Sequence, residues 1–333
     1  MTVASDTTFY TCIESGRLEP EVLLMVRTLR AFGGRFAQCP VLAIQPRAGP
    51  PIAAATQQAL EALHVTWLRQ PLAHPFDWLG FTCKPLAAEI ADRTATTRYV
   101  AWLDGDVFVV SEPAALDAPE HDDVDVLGCV EELGPVSSGP GDRFEPFWDA
   151  LARGAGMAVD DIPLVSAGPS GKRVRLHINS GVFRFRRGGG FAQRYREYFD
   201  RLLALRVVPK DDPSIFLHEQ IVLSVAAASW RGGFRLLDAR YNFHAEPMYE
   251  ALYAPDSYAR AVLLHWHGSL RMDGFDALFV ERLRRQLPAL AALVEPHLPL
   301  AAPRALLPRL QRAALRRWRG WHEARYMRGV MAV

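Results

Sequence analysis

The chain has 333 residues, half of them apolar and 23% charged, with a formal net charge of +1. That length buries a full core, and no run reaches the 18 or so apolar residues of a membrane span. Cys12, Cys39, Cys83 and Cys129 are scattered without a C-x-x-C, which argues against a zinc site or a disulfide framework and fits a reducing cytoplasm.

The opening residues, MTVASDTTFYTCIESG, lack the basic and apolar regions of a secretory signal, and Thr8–Cys12 reads instead as a first strand. Glu19–Phe32 follows with helical periodicity and ends at Gly33-Gly34. Pro40–Ile44 reads as strand, Gln57–Leu63 as helix, Val65–Leu68 as strand, Pro85–Arg93 as helix and Tyr99–Leu103 as strand. This alternation predicts an α/β fold with a mixed, mainly parallel sheet covered by helices on both faces. Residues 133–171 carry VSSGPGD and SAGPSG, and the segment reads as a long loop at an acceptor site or lid. Order resumes with a strand over Arg175–Arg184 containing an Asn-Ser-Gly bend. Helices over Gly189–Arg206 and Ser214–Ala227 come next, then strands at Arg235–Leu237 and Ala261–His267. From residue 276 the chain reads as a helical extension to a catalytic domain of residues 1–275.

Tyr99–Val110 reads YVAWLDGDVFVV, so Asp104 and Asp106 emerge together around Gly105 where a buried strand surfaces. Two carboxylates so placed suit Mn²⁺ or Mg²⁺, which complete their shells with water and substrate phosphates. Chance supplies roughly one Asp-x-Asp in such a composition, and a second one, Asp123-Val124-Asp125, reads as part of a solvated loop. The flanking strands favour the first. In AVLLHWHGSLR, His265 and His267 stand two apart and share one face of an extended segment. A neutral imidazole there is a reasonable third ligand for the two carboxylates. Gly268 permits close backbone approach, and Arg271 offers a fork for an anion.

In chain order the elements are Asp104-Gly-Asp106, Asn179-Ser180-Gly181, Glu219-Gln220-Ile221 and His265-Trp266-His267-Gly268-Ser269-Leu270-Arg271. The series resembles metal-dependent, nucleotide-sugar-using glycosyltransferases of the GT-A fold, in the group of glycogenin and the bacterial lipopolysaccharide galactosyl- and glucosyltransferases. The resemblance implies that Asp104, Asp106 and His265 hold the metal, that Gly268 and Arg271 contact the donor diphosphate, and that Asp104 and Gly105 belong to the donor-binding set. It places Thr11, Cys12 and Glu14 at the nucleotide and Lys84 over the donor, where a solvated helix-start lysine is an equal reading. Asn179 and Gln220 would face the sugar, with Glu219 orienting a hydroxyl, while His177 and His218 read as structural. Glu219 and Ile221 stand where the family has Asp, and Arg271 replaces its Lys. The reaction implied is transfer of a hexose from a UDP-sugar to a glycan or lipid-linked acceptor, with retention.

Beyond Pro303 lie eight Arg and one Glu, while Leu306, Leu310, Ala314, Trp318 and Trp321 recur at helical spacing. Residues 303–333 thus read as an amphipathic helix that either meets an anionic membrane surface or packs on the catalytic domain. The rest of the chain carries about −6, which argues against nucleic acid. Two other readings stay open: a binding protein of the same fold without turnover, and a phosphohydrolase using Asp104 and Asp106.

Overall fold

Strand β1 (Thr7–Cys12) reads TTFYTC and is buried along its whole length. It lies inside the main sheet of a computed structural model that describes residues 5–168, 170–215, 218–252 and 257–333. Then come α1 (Leu18–Phe32), β2 (Val41–Gln45), α2 (Ala54–Ala62), β3 (Val65–Arg69), α3 (Cys83–Thr94) and β4 (Tyr99–Leu103). All seven stand within three residues of the positions read from the sequence. The chain continues through β5 (Val107–Val109), β6 (Val126–Val130), α4 (Glu145–Ala155), β7 (Leu164–Ser166) and β8 (Arg173–Arg175). After these come β9 (Ile178–Arg186), α5 (Phe191–Ala204), β10 (Val207–Val208), α6 (His218–Ala228), β11 (Phe234–Leu236), β12 (Phe243–His244) and β13 (Leu263–His265). Helices α7 (Asp276–Gln286), α8 (Pro288–Val294) and α9 (Leu306–Met327) and strand β14 (Met331–Ala332) end the chain.

The main sheet has the order β11-β6-β9-β4-β1-β2-β3. Only β9 runs antiparallel to its neighbours, so the sheet is mixed and mainly parallel, as expected. Successive strand residues feed opposite faces: Phe9 and Ala101 join the core that holds Val22 and Val26 of α1, and Tyr10 and Trp102 join the core that holds Leu86-flanking Ala87 and Ala88 of α3. A second sheet, β12-β13-β5, packs Phe108, Leu264 and Trp266 against Phe279 and Leu283 of α7 and Leu290 of α8.

Three stretches depart from the sequence reading. Within 133–171, Phe147, Trp148, Leu151 and Ala152 form the buried face of α4, capped by Gly156 in the left-handed region, and β7 pairs with β8. The expected Arg175–Arg184 strand is divided, because β8 leaves the main sheet, and Asn179-Ser180-Gly181 lies within β9 beside a register shift at Gly128/Cys129. Residues 216–217 of the helix expected from Ser214 lie outside the described residues, and α6 is described from His218.

Candidate active site

Strand β4 carries Asp104 to the carboxyl edge of the sheet, and the turn closes with Val107 N–H donating to the Asp104 carbonyl at 3.1 Å. Strand β5 then pairs antiparallel with β13, setting His265 opposite Val107. Two segments 160 residues apart therefore meet, and His265 Nε2 lies 3.3 Å from Asp106 Oδ1 and 3.9 Å from Asp104 Oδ2. Candidate ligand atoms of all three residues lie within 4.8 Å of one another. Two carboxylates and an imidazole match the donor set of Mn²⁺ and are compatible with Mg²⁺. Burial opposes ionisation of Asp106, but the His265 imidazole outweighs it and holds the carboxyl below its ordinary range.

The Asn179-Ser180-Gly181 step of β9 serves this edge residue by residue. A Cβ on Gly181 would stand 2.3 Å from His265 Cε1, so only glycine leaves room for the imidazole. Asn179 Oδ1 accepts from Gly181 N–H at 2.8 Å, while its Nδ2 donates to Glu131 at 2.7 Å. The Ser180 carbonyl and hydroxyl both receive Lys84 Nζ, at 3.0 and 2.9 Å. Lys84 is 5% exposed, so it is not the solvated alternative, and it donates to Asp104 Oδ2 at 2.9 Å. Burial works against its ammonium, yet the Asp104 and Glu219 carboxylates raise its pKa above the usual value. Trp102 Nε1–H donates to the other Asp104 oxygen at 3.0 Å.

Asp104, Asp106, His265, Asn179, Gln220 and Gly268 line one cavity of about 550 Å³. Glu219 lines it too, but Tyr195 and Ser180 hydroxyls donate to its two oxygens, and burial raises its pKa. Gln220 Nε2 meets His177 Nε2 at 3.1 Å. Gly105 packs against the first turn of α1, where an added Cβ would meet Val22 at 3.2 Å.

Other expected contact residues do not line this cavity. Thr11 is fully buried, and Cys12 donates its thiol to the Cys83 carbonyl; neither lines this cavity. Glu14 is gripped by Arg47 at 2.6 and 2.9 Å. Arg271 turns aside and donates to Glu21 at 2.9 Å. The second Asp-x-Asp is not simply solvated: Asp125 is held by Arg186 and Trp230, while Asp123 pairs with Arg235 on the surface. His265 and His267 do share one face, but through a turn, because β13 ends at His265 and His267 has φ 48°. Their rings stack at 3.6 Å.

Three residues of the site escaped the sequence reading. Glu131 follows the apolar run of β6, the same kind of signal that pointed to Asp104, and accepts from Asn179 and Tyr249. Asn242 and His244 carry no comparable local signal. Asn242 Oδ1 meets His265 Nδ1 at 2.9 Å, and His244 Nδ1 meets His267 Nε2 at 2.8 Å. Burial drives the pKa of both His244 and His267 well below its ordinary value, so both rings are neutral near pH 7.

A family model described as the Rhodobacterales glycosyltransferase domain matches residues 9–231. No curated protein matches the sequence. Similar solved structures include an active-site mutant of LgtC, with a TM-score of 0.47, 13% identity and coverage of 84% of this chain and 96% of that one. Another is the bifunctional glycosyltransferase WbbM, with a TM-score of 0.49, 10% identity and coverage of 88% and 51%. A third is GlyE of Streptococcus pneumoniae, with a TM-score of 0.49, 11% identity and coverage of 90% and 65%. Because the family match spans well over half of the 333 residues, the chain belongs to the Rhodobacterales glycosyltransferase domain family and is a glycosyltransferase.

Proposed function

We propose that the protein transfers a hexose from a UDP-sugar, with a bound Mn²⁺ or Mg²⁺, to a glycan or lipid-linked acceptor. The observation that carries this reading is the convergence of Asp104, Asp106 and His265 on a cavity lined also by Asn179 and Gln220. A divalent cation held there supplies positive charge against the diphosphate as it departs. Lys84 holds Asp104 by a charge-assisted bond, and Trp102 fixes that carboxylate's other oxygen. Asn179, locked between Glu131 and its own backbone, presents a fixed edge to the sugar. Both buried acids beside the sugar position, Glu131 and Glu219, are already hydrogen-bonded. That favours retention assisted by the leaving diphosphate over attack by a protein carboxylate.

The reading extends to the surface of an anionic membrane, on the cytoplasmic side, where the four unpaired cysteines suit a reducing compartment. Among the described residues no helix is long and apolar enough to cross a bilayer. Instead Leu306, Leu310, Trp318 and Trp321 of α9 are exposed on a helix rich in arginine.

Donor turnover measured with Mn²⁺, with chelator and in Asp106→Ala tests the proposal. Loss of at least about a hundredfold in both of the last two is expected, from the charge stabilisation such ions supply. Turnover unchanged by either refutes the metal-dependent reading, and anomeric proton signals of the product report its stereochemistry.

A further inference from the structure

Helix α9 turns Leu306, Leu310, Trp318 and Trp321 outward and Arg312 and Arg319 inward, onto a second cavity of about 360 Å³. Arg312, Leu315, Arg316 and Arg319 line it on the helix side, and Gln45 lines it at the carboxyl end of β2. Arg17 lines both this cavity and the one holding Asp104 and Asp106, so the two adjoin at the N-terminus of the 15-residue helix α1. Ligands of doubly wound sheets bind along this same edge, outside the carboxyl ends of the strands.

Two observations point to an occupant. The first is charge. Glu14 is the one acid in the lining, and Arg47, outside it, already grips both carboxylate oxygens. Arg312 donates to Ser15 Oγ, and Arg319 reaches the Ala48 carbonyl at 3.0 Å while pairing with Glu14 at 3.6 Å and Asp77 at 3.5 Å. Arg316 has no hydrogen bond or ion pair among the described residues. The second is a buried orphan: Gln45 is 1% exposed, its Nε2 donates to the Pro50 carbonyl at 2.9 Å, and its Oε1 has no partner. A buried acceptor left unmatched is costly, so an N–H is expected to meet it. One buried acceptor in a cavity lined by guanidinium groups suits a flat base whose N–H is flanked by carbonyl oxygens, carried on an anionic chain. Guanidinium planes also stack on such rings.

We infer that α9 forms the outer wall of the donor's nucleoside subsite, with Gln45 Oε1 accepting the imide N–H of uracil and Arg316 facing the base and its phosphates. This rests on the donor reading above. The wall comes from residues beyond the 9–231 region shared with the family. The tail is therefore part of the donor site on its inner face.

Calorimetric titration of the full-length protein with UDP and Mn²⁺ tests the inference, with CDP for comparison. Arg316→Gln is expected to weaken UDP binding at least tenfold. Gln45→Met, close in shape but lacking the amide oxygen, is expected to reduce the preference for UDP over CDP. Arg317→Gln removes the same charge from an exposed position that does not line the cavity, and should leave the affinity as it is. Thermal melts confirm folding, and Arg316, being exposed, keeps the test usable if Gln45→Met is unstable. Wild-type affinity in Arg316→Gln, or a loss equal to that in Arg317→Gln, overturns the inference while the donor reading stands. Failure of the wild type to bind any nucleoside diphosphate overturns both.

Discussion

Asn242 and His265 meet at 2.9 Å, with the amide oxygen accepting the proton on imidazole Nδ1. That bond turns His265 Nε2 towards Asp104 and Asp106, and in the neutral ring it leaves this nitrogen bare, the state a metal ligand requires. The same amide offers Nδ2–H to His244 Nε2 at 3.4 Å, and His244 Nδ1–H then donates to His267 Nε2 at 2.8 Å. One asparagine thus orders the tautomers of three stacked imidazoles. Asn242→Leu is expected to weaken Mn²⁺ binding by about 10- to 100-fold, the usual range for a partner that orients a metal-bound histidine. Nitrogen-15 chemical shifts of the His265 ring read the tautomer directly. An unaltered Nδ1–H signal and unaltered Mn²⁺ affinity would remove Asn242 from this role.

Lys84 bears on the same Asp104 oxygen that His265 approaches. Its ammonium is buried and bonded to Asp104 and Ser180, with Glu219 3.7 Å away. Lys84→Met keeps the aliphatic stem but strands two carboxylates, and breaking a buried pair in this way costs about 3–5 kcal/mol. Denaturant melts should show that loss without metal and a partial recovery with Mn²⁺, because the cation then compensates Asp104. A melt equally depressed with and without Mn²⁺ argues against a cation beside Asp104.

How much of this was legible depends on the range of each interaction. The buried apolar run of β4 and the Asp104-Gly105-Asp106 turn are local, so the pattern was readable, and His265 stood out by the same logic at the end of β13. Asn242 was invisible because its importance comes from a partner 23 residues away. The resemblance set Glu14 at the nucleotide and Arg271 at the diphosphate, but Arg47 and Glu21 pair with them, contacts that only the fold creates. In α4 the Gly- and Ser-rich flanks hid a helix whose aromatic face was present in FEPFWDAL. The tail was the subtler case. Its periodicity was correct, but an apolar stripe usually faces the core, whereas here Arg312, Leu315, Arg319 and Tyr326 face inward.

Acid should loosen the fold through His177. Burial alone lowers its pKa to about 4, and its Nδ1 has no partner, so the ring is held neutral. The unfolded chain binds the proton more readily. Stability from this group is therefore full above the ordinary histidine pKa of about 6.5 and declines as pH falls towards 4. The shift corresponds to about 3 kcal/mol at its limit. His177→Gln should flatten that decline in stability measured between pH 7 and pH 4, whatever its effect at neutral pH. An identical acid limb in the variant would assign the loss to other groups, His244 and His267 first, since burial lowers both of them as well.

The two faces of α9 make separable demands. Trp318 and Trp321 are 45% and 55% exposed and lie beside Leu310 on a stripe that nothing among the described residues covers, while Tyr326 anchors the helix by donating to the Leu203 carbonyl at 2.6 Å. Exposed indoles on an arginine-rich helix suit the boundary between headgroups and acyl chains. Replacing both tryptophans by serine should release the protein from vesicles containing phosphatidylglycerol in a co-sedimentation assay, while the melting temperature stays near wild type because neither ring is buried. Raising the salt concentration should weaken wild-type binding as well, since the arginines act through a screened surface potential. Binding that survives both the double substitution and high salt would mean that α9 does not mediate it, and the outer stripe would then need another occupant.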